Sequence, residues 1–184
     1  MGQCIFIVGG ARSGKSDFAL DLAEKSLSSE KYYLATCPVF DQTDPDMESR
    51  IEKHKAGRQG RGWQTIEEEI DLCQAVANLP DAAVLLIDCL TLWVSNLLHQ
   101  KGSSGIDEDG IKLRIEKLFK LCRGRSGDTL MVSGEVGCGV IPENEIARRF
   151  RDLVGRCNQI AGQSADSVFM VTCGIPVKIK GISS

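Results

Sequence analysis

The stretch Gly9-Gly10-Ala11-Arg12-Ser13-Gly14-Lys15-Ser16 decides the fold of this chain, because it contains the pattern G-x-x-x-x-G-K-S directly after a short apolar run. The glycines let backbone N–H groups turn inward around phosphate oxygens, Lys15 can reach the β- and γ-phosphates, and the Ser16 hydroxyl can join a Mg²⁺ shell. The residues from Lys15 to about Leu27 predict a helix whose positive end faces the same anion. A chance Gly-rich turn is disfavoured, because strand, loop and helix occur in the required order.

Length and composition restrict the classes of function that are open to the chain. Its 184 residues fit one domain with a substantial core, and we expect a single catalytic domain over residues 1–184. A formal net charge of -3 gives no basic field, so nucleic acid is not expected as the main partner. No apolar run resembles a signal peptide or approaches a membrane span. The sequence therefore predicts a soluble, cytoplasmic protein without membrane insertion.

Eight cysteines are spread singly along the chain, mostly inside apolar runs and without a C-x-x-C pair: Cys4, Cys37, Cys73, Cys89, Cys122, Cys138, Cys157 and Cys173. Zinc sites and small disulfide frameworks have characteristic cysteine spacings, which are absent from this sequence. We therefore interpret the cysteines as reduced core residues of a cytoplasmic protein.

Apolar runs of strand length alternate with helical patterns along the chain. Strands are predicted at residues 4–8, 31–36, 63–66, 83–88, 129–133 and 167–172, and residues 177–180 are interpreted as a terminal tail. Helices are predicted at residues 15–27, 47–58, 67–78, 90–99 and 107–122 and from Pro142 onward. The third helix is expected to present Ile70, Cys73 and Ala77 on one side, and the last to bury Ile146, Phe150, Leu153, Val154, Cys157 and Ile160. This alternation predicts an α/β, P-loop NTPase fold with a mostly parallel central sheet flanked by helices.

Two of the predicted strands end in residues that suit a phosphate site. The run at residues 83–88 has the form of a buried parallel strand that delivers Asp88 to the phosphate end of the sheet, as a Walker B aspartate does. The alternative role for Asp88 is N-capping of the next helix. Ligands gather at the carboxyl ends of strands in an open parallel sheet, so Ala35, Thr36 and Cys37 are expected to border the nucleotide.

The predicted helix at residues 47–58 has little apolar face and ends in a basic, Gly-containing cluster. His54 lies beside Lys53, Lys55 and Arg58 in this cluster. A positive neighbourhood keeps an imidazole neutral and hence nucleophilic, and the same cations can hold phosphates. The alternative is an ordinary surface histidine among lysines, and the pattern alone leaves both possibilities open.

Two further ionisable residues are candidates for a role in the site. Glu135 follows the strand at residues 129–133, in a flexible loop that occupies the active-site position. It can assist a metal or substrate, or make structural hydrogen bonds. His99 falls at a helix end before a Gly/Ser-rich loop, so a solvated, helix-terminal role is favoured for it.

Taken together, these stretches resemble the bifunctional adenosylcobinamide kinase / adenosylcobinamide-phosphate guanylyltransferase family of cobalamin biosynthesis. The likeness covers nearly the whole chain and rests on the P-loop at 9–16, the strand end at 33–36, the histidine segment at 50–58, the segments 88–96 and 135–144, and Arg148-Arg149-Phe150-Arg151-Asp152. The P-loop is shared by many NTPases, whereas the histidine and Glu135 segments in this order are far more specific. The chain departs from the family at Gly134, where the family usually has Asn, and by an apparent extra residue between Arg58 and Trp63.

The resemblance implies a two-step enzyme that uses ATP, GTP and adenosylcobinamide as substrates. The hydroxyl of the aminopropanol arm would first be phosphorylated; GTP would then transfer GMP to His54, and the phosphorylated cobinamide would collect it. The resemblance makes His54 the nucleophile. The P-loop chemistry makes Lys15 the second catalytic residue and Ser16 and Asp88 the expected Mg²⁺ ligands. The resemblance also implies a homotrimer. The implied nucleotide contacts are residues 9–16, Ala35, Thr36, Cys37, Lys55, Ala56, Gly57, Arg58, Glu67 and Asp88.

Two other functions are compatible with the sequence. The first is a single-function P-loop kinase of another small alcohol, in which His54 only holds phosphate. This function predicts no covalent nucleotide adduct. The second is a regulatory protein whose slow nucleotide hydrolysis switches its affinity for a partner. It predicts tight nucleotide binding without corrinoid-dependent turnover.

Overall fold

The computed structural model describes residues 1–26, 28–37, 45–100 and 105–181, with backbone only for residues 45–48, 50, 53 and 54. The elements in chain order are β1 (Cys4–Gly9), α1 (Lys15–Ala23), β2 (Lys31–Ala35), α2 (Pro45–Arg58), β3 (Trp63–Glu67), α3 (Leu72–Ala77), β4 (Val84–Asp88), α4 (Leu90–His99), α5 (Glu108–Arg123), β5 (Thr129–Gly134), α6 (Glu145–Ser164), β6 (Ser167–Thr172) and β7 (Ile175–Lys180). Strands and helices alternate as the sequence predicts, up to β6.

The strands form one sheet in the order β3-β2-β4-β5-β1-β6-β7. Every neighbouring pair is parallel except β6 and β7, which are antiparallel. The register places Ala35 opposite both Asp88 and Glu67, and Gly9 opposite Gly134. The carboxyl ends of the six parallel strands therefore meet at one edge, as a ligand site in an open parallel sheet requires. The predicted α/β, mostly parallel P-loop fold is confirmed.

Different helices cover the two faces of the sheet. One buried cluster packs α3, α4, α5 and α6 against the sheet and includes Leu85 and Ile87 of β4. The other packs α1 against the opposite face and includes Val84 and Leu86 of the same strand. Since β4 is buried on both sides, its sequence is a continuous apolar run rather than an alternating one. Each such side chain stabilises the fold by about 1.5–3 kcal/mol, so the strand that carries Asp88 is firmly held.

Helices α1 and α3 differ from the sequence-based boundaries. Helix α1 ends at Ala23, whereas Leu27, the predicted end, lies outside the described residues. The predicted start of α3 at Glu67 is wrong, because Glu67 is the last residue of β3 and the Glu68 carboxylate accepts hydrogen bonds from the next turn. Asp71 then caps the helix by accepting from the Gln74 N–H. The buried side chains of α3 are Leu72 and Val76. Of the predicted apolar side, Ile70 and Cys73 are partly buried against the same core, whereas Ala77 is exposed.

The C-terminal part of the chain holds further corrections. Helix α6 begins at Glu145 after an Asn144 cap, so Pro142 precedes the helix rather than forming its first turn. Ile146 is 57% exposed and Phe150 is only half-buried, whereas the rest of the predicted stripe is buried. Residues 175–180 form strand β7 rather than a tail, because the turn at Cys173 and Gly174 reverses the chain with φ values of 52° and 78°.

All eight cysteines are free. Cys4, Cys122 and Cys157 are buried, and burial raises the pKa of the Cys157 thiol to about 12. Cys138 and Cys173 are exposed, so the prediction of a core position is wrong for these two. Within the described ranges, none of the helices has the length and apolarity needed to cross a bilayer.

The packing of α5 against the sheet can be tested with two truncations in that helix. Ile115 is fully buried and Leu113 is 70% exposed. We expect Ile115→Ala to lower the free energy of unfolding by about 2–5 kcal/mol, because it removes buried methyl groups and leaves a cavity. Leu113→Ala should change it by less than about 0.5 kcal/mol. Urea unfolding followed by circular dichroism measures both, and equal losses would contradict the burial of this face.

Candidate active site

The P-loop connects β1 to α1 through two residues with positive φ. Arg12 has a φ of 56° and Gly14 one of 88°, and Gly14 is the N-cap of α1. Gly9 cannot carry a side chain here, because its Cβ would lie 2.3 Å from the Val171 carbonyl oxygen and 2.7 Å from Ser13 Oγ. The glycines of the motif thus serve the tight turn that the sequence predicts.

Several polar groups of the P-loop are available to an anion. No side chain caps the N-terminus of α1, so its first N–H groups face outward with the positive end of the helix dipole. Ser13 is 8% exposed, and its buried hydroxyl has no hydrogen-bond partner among the described residues. Lys15 Nζ donates to the Gly10 carbonyl oxygen at 3.0 Å. This bond folds the lysine across the loop, where a bound phosphate can replace the carbonyl.

The turn between β6 and β7 supports the P-loop from behind. The Gly174 N–H donates to the Ser13 carbonyl oxygen at 2.9 Å, and a Cβ on Gly14 would lie 3.3 Å from Gly174 Cα. Sequence reasoning missed this support, because it treated the last residues as a tail. The signal that was available is Gly174 between two runs rich in β-branched residues, which is typical of a hairpin.

Asp88 ends β4 and is not the N-cap of the next helix. Cys89 occupies the N-cap of α4, and α4 has no side-chain cap hydrogen bond, which excludes the alternative role for Asp88. The Tyr33 hydroxyl donates to Asp88 Oδ2 at 2.8 Å. Burial raises the pKa of the Cys89 thiol to about 12, the negative charge of Asp88 adds to the rise, and the positive charge of Lys15 opposes it. Asp88 and Lys15 therefore both lie close enough to Cys89 to affect its thiol.

Thr36 ties the end of β2 to the start of α4. Its hydroxyl donates to the Cys89 carbonyl oxygen at 2.7 Å and accepts from the Cys89 N–H at 2.8 Å. The Thr36 carbonyl oxygen accepts from Asn96 Nδ2 at 2.8 Å. Thr36 is fully buried, whereas Ala35 and Cys37 on either side of it are half-buried. All three predicted residues thus lie at the edge of the sheet where β4 ends with Asp88. The Thr36 hydroxyl hydrogen-bonds to the Cys89 backbone and therefore has a structural role.

Helix α2 borders a cavity of about 740 Å³. The lining residues are Glu52, Lys55, Ala56, Arg58 and Gln59 of the α2 region and Trp63, Thr65 and Glu67 of β3. The structure therefore brings together four of the predicted contacts on this side of the site: Lys55, Ala56, Arg58 and Glu67. Lys55 Nζ lies 4.0 Å from Glu67 Oε1. Gly57 is on the same helix but does not line the cavity, and the side chain of His54 lies outside the described part of the structure.

Arg58 is less accessible than the sequence suggested. It is 6% exposed, and its guanidinium stacks 3.6 Å above the centre of the Tyr33 ring. Trp63 meets the same ring edge-on, with centroids 6.4 Å apart. Arg58 thus contributes charge to the cavity wall while packing against the strand that contacts Asp88.

Arg61 fastens the α2–β3 connection to the P-loop helix. Its guanidinium pairs with Glu24 at 2.7 Å and with Asp21 at 2.9 Å, both on or next to α1. Trp63 Nε1 donates to Glu24 Oε1 at 3.0 Å. The hydrogen bond from Arg61 lowers the pKa of the Glu24 carboxyl below its ordinary value. The connection that follows the histidine helix is thereby attached to the helix that follows the P-loop.

The loop after β5 makes structural hydrogen bonds. The Glu135 N–H donates to the Gly9 carbonyl oxygen at 2.9 Å, and Glu135 Oε1 accepts from the Gly137 N–H at 2.5 Å. The Gly134 N–H donates to Thr91 Oγ1 at 2.5 Å, and a Cβ on Gly134 would lie 3.1 Å from that oxygen. A larger residue at position 134 would therefore press on Thr91. Of the two roles predicted for Glu135, these contacts match the one in which it makes structural hydrogen bonds.

The residues near the P-loop fit a Mg²⁺ ion bound together with phosphates. Among the described residues, no group of three or more His, Cys, Asp or Glu side chains could hold a metal ion. Mg²⁺ in phosphate-transfer sites does not need such a cage, because one or two protein oxygens and the substrate phosphates suffice. Asp88 supplies a carboxylate and Ser16 a hydroxyl, both hard oxygen donors. This donor set suits Mg²⁺ and not a zinc-type site.

His99 has the role expected from its sequence position. It is exposed at the end of α4, and its Nδ1 lies 2.8 Å from the Ser95 carbonyl oxygen of the same helix. Sequence reasoning gave no role to Tyr33 or Thr91, whose hydroxyls contact Asp88 and the end of β5. Both lie in segments that carry the family resemblance, but no local pattern indicated these contacts.

Comparisons with known proteins identify the family of this chain. Residues 5–179 match the family described as "Cobinamide kinase / cobinamide phosphate guanyltransferase". The bifunctional adenosylcobalamin biosynthesis protein CobU of Escherichia coli (strain K12) is 37% identical over 185 residues, covering 96% of this chain and 99% of that protein. The bifunctional adenosylcobalamin biosynthesis protein CobP of Pseudomonas aeruginosa is 35% identical over 176 residues, covering 95% of this chain and 96% of that protein.

A solved structure supports the fold independently. It is that of an ATPase domain, and it superposes with a TM-score of 0.53 at 14% identity, covering 91% of this chain and 68% of that one. At this identity the likeness concerns the P-loop architecture alone, whereas the near full-length sequence matches identify the family. The chain belongs to the cobinamide kinase / cobinamide phosphate guanyltransferase family.

Proposed function

We propose that this protein is a bifunctional enzyme of cobalamin biosynthesis. It phosphorylates adenosylcobinamide with ATP or GTP, and then transfers GMP from GTP through a guanylyl-His54 intermediate to give adenosylcobinamide-GDP and pyrophosphate. The observation that carries the proposal is the family match over residues 5–179, which contains both the P-loop and the His54 helix. The names of the relatives, which describe bifunctional adenosylcobalamin biosynthesis proteins, support the pairing of the two activities.

For the kinase step, the P-loop positions the phosphoryl donor. The free N–H groups at the start of α1 and the buried Ser13 hydroxyl bind phosphate oxygens, and Lys15 exchanges the Gly10 carbonyl for the β- and γ-phosphates. Ser16 and Asp88 would hold Mg²⁺, which neutralises charge on the phosphates when bound. Such chemistry depends mainly on positioning and electrostatics, both of which this region provides.

For the nucleotidyl step, His54 acts as the nucleophile. A ring nitrogen lone pair attacks the α-phosphorus of GTP; a P–N bond forms, the α–β bridging P–O bond breaks, and pyrophosphate leaves with the electron pair. A phosphate oxygen of the phosphorylated cobinamide then attacks the same phosphorus, the P–N bond breaks, and His54 regains its lone pair. The lysines that flank His54 favour its neutral form and stabilise the charge on the transferring phosphate. The cavity beside α2, with Lys55, Arg58 and Glu67 in its wall, supports nucleotide binding there.

We also propose that the enzyme is a cytoplasmic homotrimer, as the family resemblance implies. Exposed apolar side chains on β7 and around the start of α6 support association: Ile175, Val177, Ile179, Val140, Ile141 and Ile146 are 48–94% exposed. Patches of this kind often mark protein interfaces. Eight free cysteines suit a reducing compartment. The net charge of -3 gives no support for a nucleic-acid partner.

The covalent intermediate can be tested by labelling. Purified protein incubated with Mg²⁺ and α-³²P-labelled GTP, then denatured, should retain label that is acid-labile and base-stable, because a phosphoramidate has this reactivity. His54→Ala should abolish the label. His99→Ala is the matched control, since His99 is the only other histidine and lies exposed at the end of α4, so its label should persist. Absence of label in a protein that still binds nucleotide would favour the single-function kinase.

The kinase half can be tested at Lys15. We expect Lys15→Met to reduce phosphorylation of adenosylcobinamide by roughly 10²–10³-fold, because a positioned cation that stabilises the transferring phosphoryl group is lost. Lys25→Met, at an exposed position just beyond α1, should leave the rate unchanged. Initial rates with radiolabelled ATP measure both variants. A Lys15→Met rate close to that of the unmodified enzyme would exclude Lys15 from the chemistry.

The trimer can be tested by measuring the mass in solution. One chain has a mass of 20.0 kDa, so sedimentation equilibrium should give about three times that value for the purified enzyme. The exposed apolar residues on β7 and near α6 would then be shielded between subunits. A mass that stays at that of a single chain across the accessible concentration range would contradict the proposed trimer.

A further inference from the structure

Tyr33 is the middle residue of β2, the strand next to the one that ends in Asp88. It is 4% exposed and sits on β2, which pairs with both β3 and β4. The register places Tyr33 opposite Leu86, two residues before Asp88, so the three side chains share one face of the sheet. The ring therefore extends diagonally along this face, and its hydroxyl donates to Asp88 Oδ2 at 2.8 Å.

The Tyr33 ring is fixed by contacts from two other elements, α2 and β3. The Arg58 guanidinium of α2 stacks on one face at 3.6 Å, and Trp63 of β3 packs against the ring edge-on. Trp63 is in turn held by Glu24, just after α1. A ring confined in this way has one orientation, which aims its hydroxyl at the carboxylate.

The hydroxyl is directed to one oxygen of the Asp88 carboxylate, Oδ2. Within the described part of the chain, Tyr33 is the one residue whose side chain hydrogen-bonds to the Asp88 carboxylate. One carboxylate oxygen is thus fixed, while Oδ1 stays available to another ligand.

We propose that Tyr33 is a positioning residue for Asp88: its hydroxyl holds Oδ2 so that the carboxylate keeps one orientation toward the P-loop ligand. This inference rests on the proposed function, because it takes Asp88 to be a Mg²⁺ ligand. It goes beyond that function by assigning a role to a strand residue outside the P-loop and the His54 segment. Because Arg58 is in the same helix as His54, the contacts also connect the nucleotidyl-transfer region to the carboxylate of the kinase region.

The test measures how much Mg²⁺ strengthens nucleotide binding. The dissociation constant of a non-hydrolysable GTP analogue is determined by calorimetry in excess Mg²⁺ and again in EDTA. We call the value in EDTA divided by the value in Mg²⁺ the Mg²⁺ gain. Tyr33→Phe keeps the ring and its stacking but removes the hydroxyl. We expect the Mg²⁺ gain to fall by about 3- to 10-fold, the range for losing one typical hydrogen bond, with little change in EDTA.

Tyr32→Phe is the matched control, because Tyr32 is the neighbouring residue, points to the opposite face of the sheet and packs against the other core cluster. Its Mg²⁺ gain should equal that of the unmodified protein. If Tyr33→Phe lowers only the unfolding midpoint and leaves the gain intact, the contact is merely structural and the inference is overturned.

Asp88→Asn separates failure of this inference from failure of the proposed metal role. This variant should lose most of the Mg²⁺ gain, and adding Tyr33→Phe to it should cause no further loss, because both changes act through the same carboxylate. If Asp88→Asn keeps the full gain, the proposed metal role of Asp88 is wrong. If Asp88→Asn loses the gain but Tyr33→Phe does not, only the positioning role is wrong.

Discussion

The structure depends on one steric constraint, the absence of a side chain at Gly9. A Cβ there would lie 2.3 Å from the Val171 carbonyl oxygen, so only glycine lets β1 end against β6 while the chain turns into the P-loop. Everything that follows uses that turn: the left-handed residues Arg12 and Gly14, the uncapped start of α1, and the fold of Lys15 back onto Gly10. The phosphate site is therefore a consequence of how tightly two central strands approach each other.

The P-loop region and the region around α2, both proposed to bind phosphates, are joined by a small number of side-chain contacts. Arg61 pairs with Asp21 and Glu24, and so attaches the connection after α2 to the P-loop helix. Tyr33 lies between Arg58 of α2 and Asp88 of β4. These contacts connect helix α2, which contains position 54, to the P-loop helix and to the strand that ends in Asp88. Such a connection suits an enzyme whose first product is the acceptor in its second step.

The parts of the fold that could be predicted are those whose structure depends on residues close together in the sequence. The P-loop follows from its glycines, and β4 follows from a run that is apolar on both faces and ends in Asp88. The predicted start of α3 is wrong because the Glu68 and Asp71 side chains end one element and begin the next, a competition that propensity does not reveal. Ile146 has helical spacing with the buried stripe, yet it lies in the first turn of α6 and is 57% exposed, a difference that spacing alone does not predict.

The unpredicted parts of the site depend on contacts between residues far apart in the sequence. The Tyr33–Asp88 hydrogen bond joins residues 55 positions apart and exists only because β2 and β4 are neighbours in a particular register. The support of Ser13 by Gly174 likewise requires the β6–β7 hairpin. A single sequence contains no signal for such pairings. The roles of His54 and its neighbours remain a prediction from sequence and family resemblance.

The most direct test of the central claim is whether one purified chain completes both reactions. Adenosylcobinamide is incubated with the enzyme, Mg²⁺, ATP and GTP, and the corrinoid products are separated by chromatography and identified by mass spectrometry. The bifunctional account predicts conversion to adenosylcobinamide-GDP, with adenosylcobinamide phosphate as a transient and pyrophosphate as coproduct. A reaction that stops at the phosphate, or leaves adenosylcobinamide unchanged while nucleotide is bound, would contradict it.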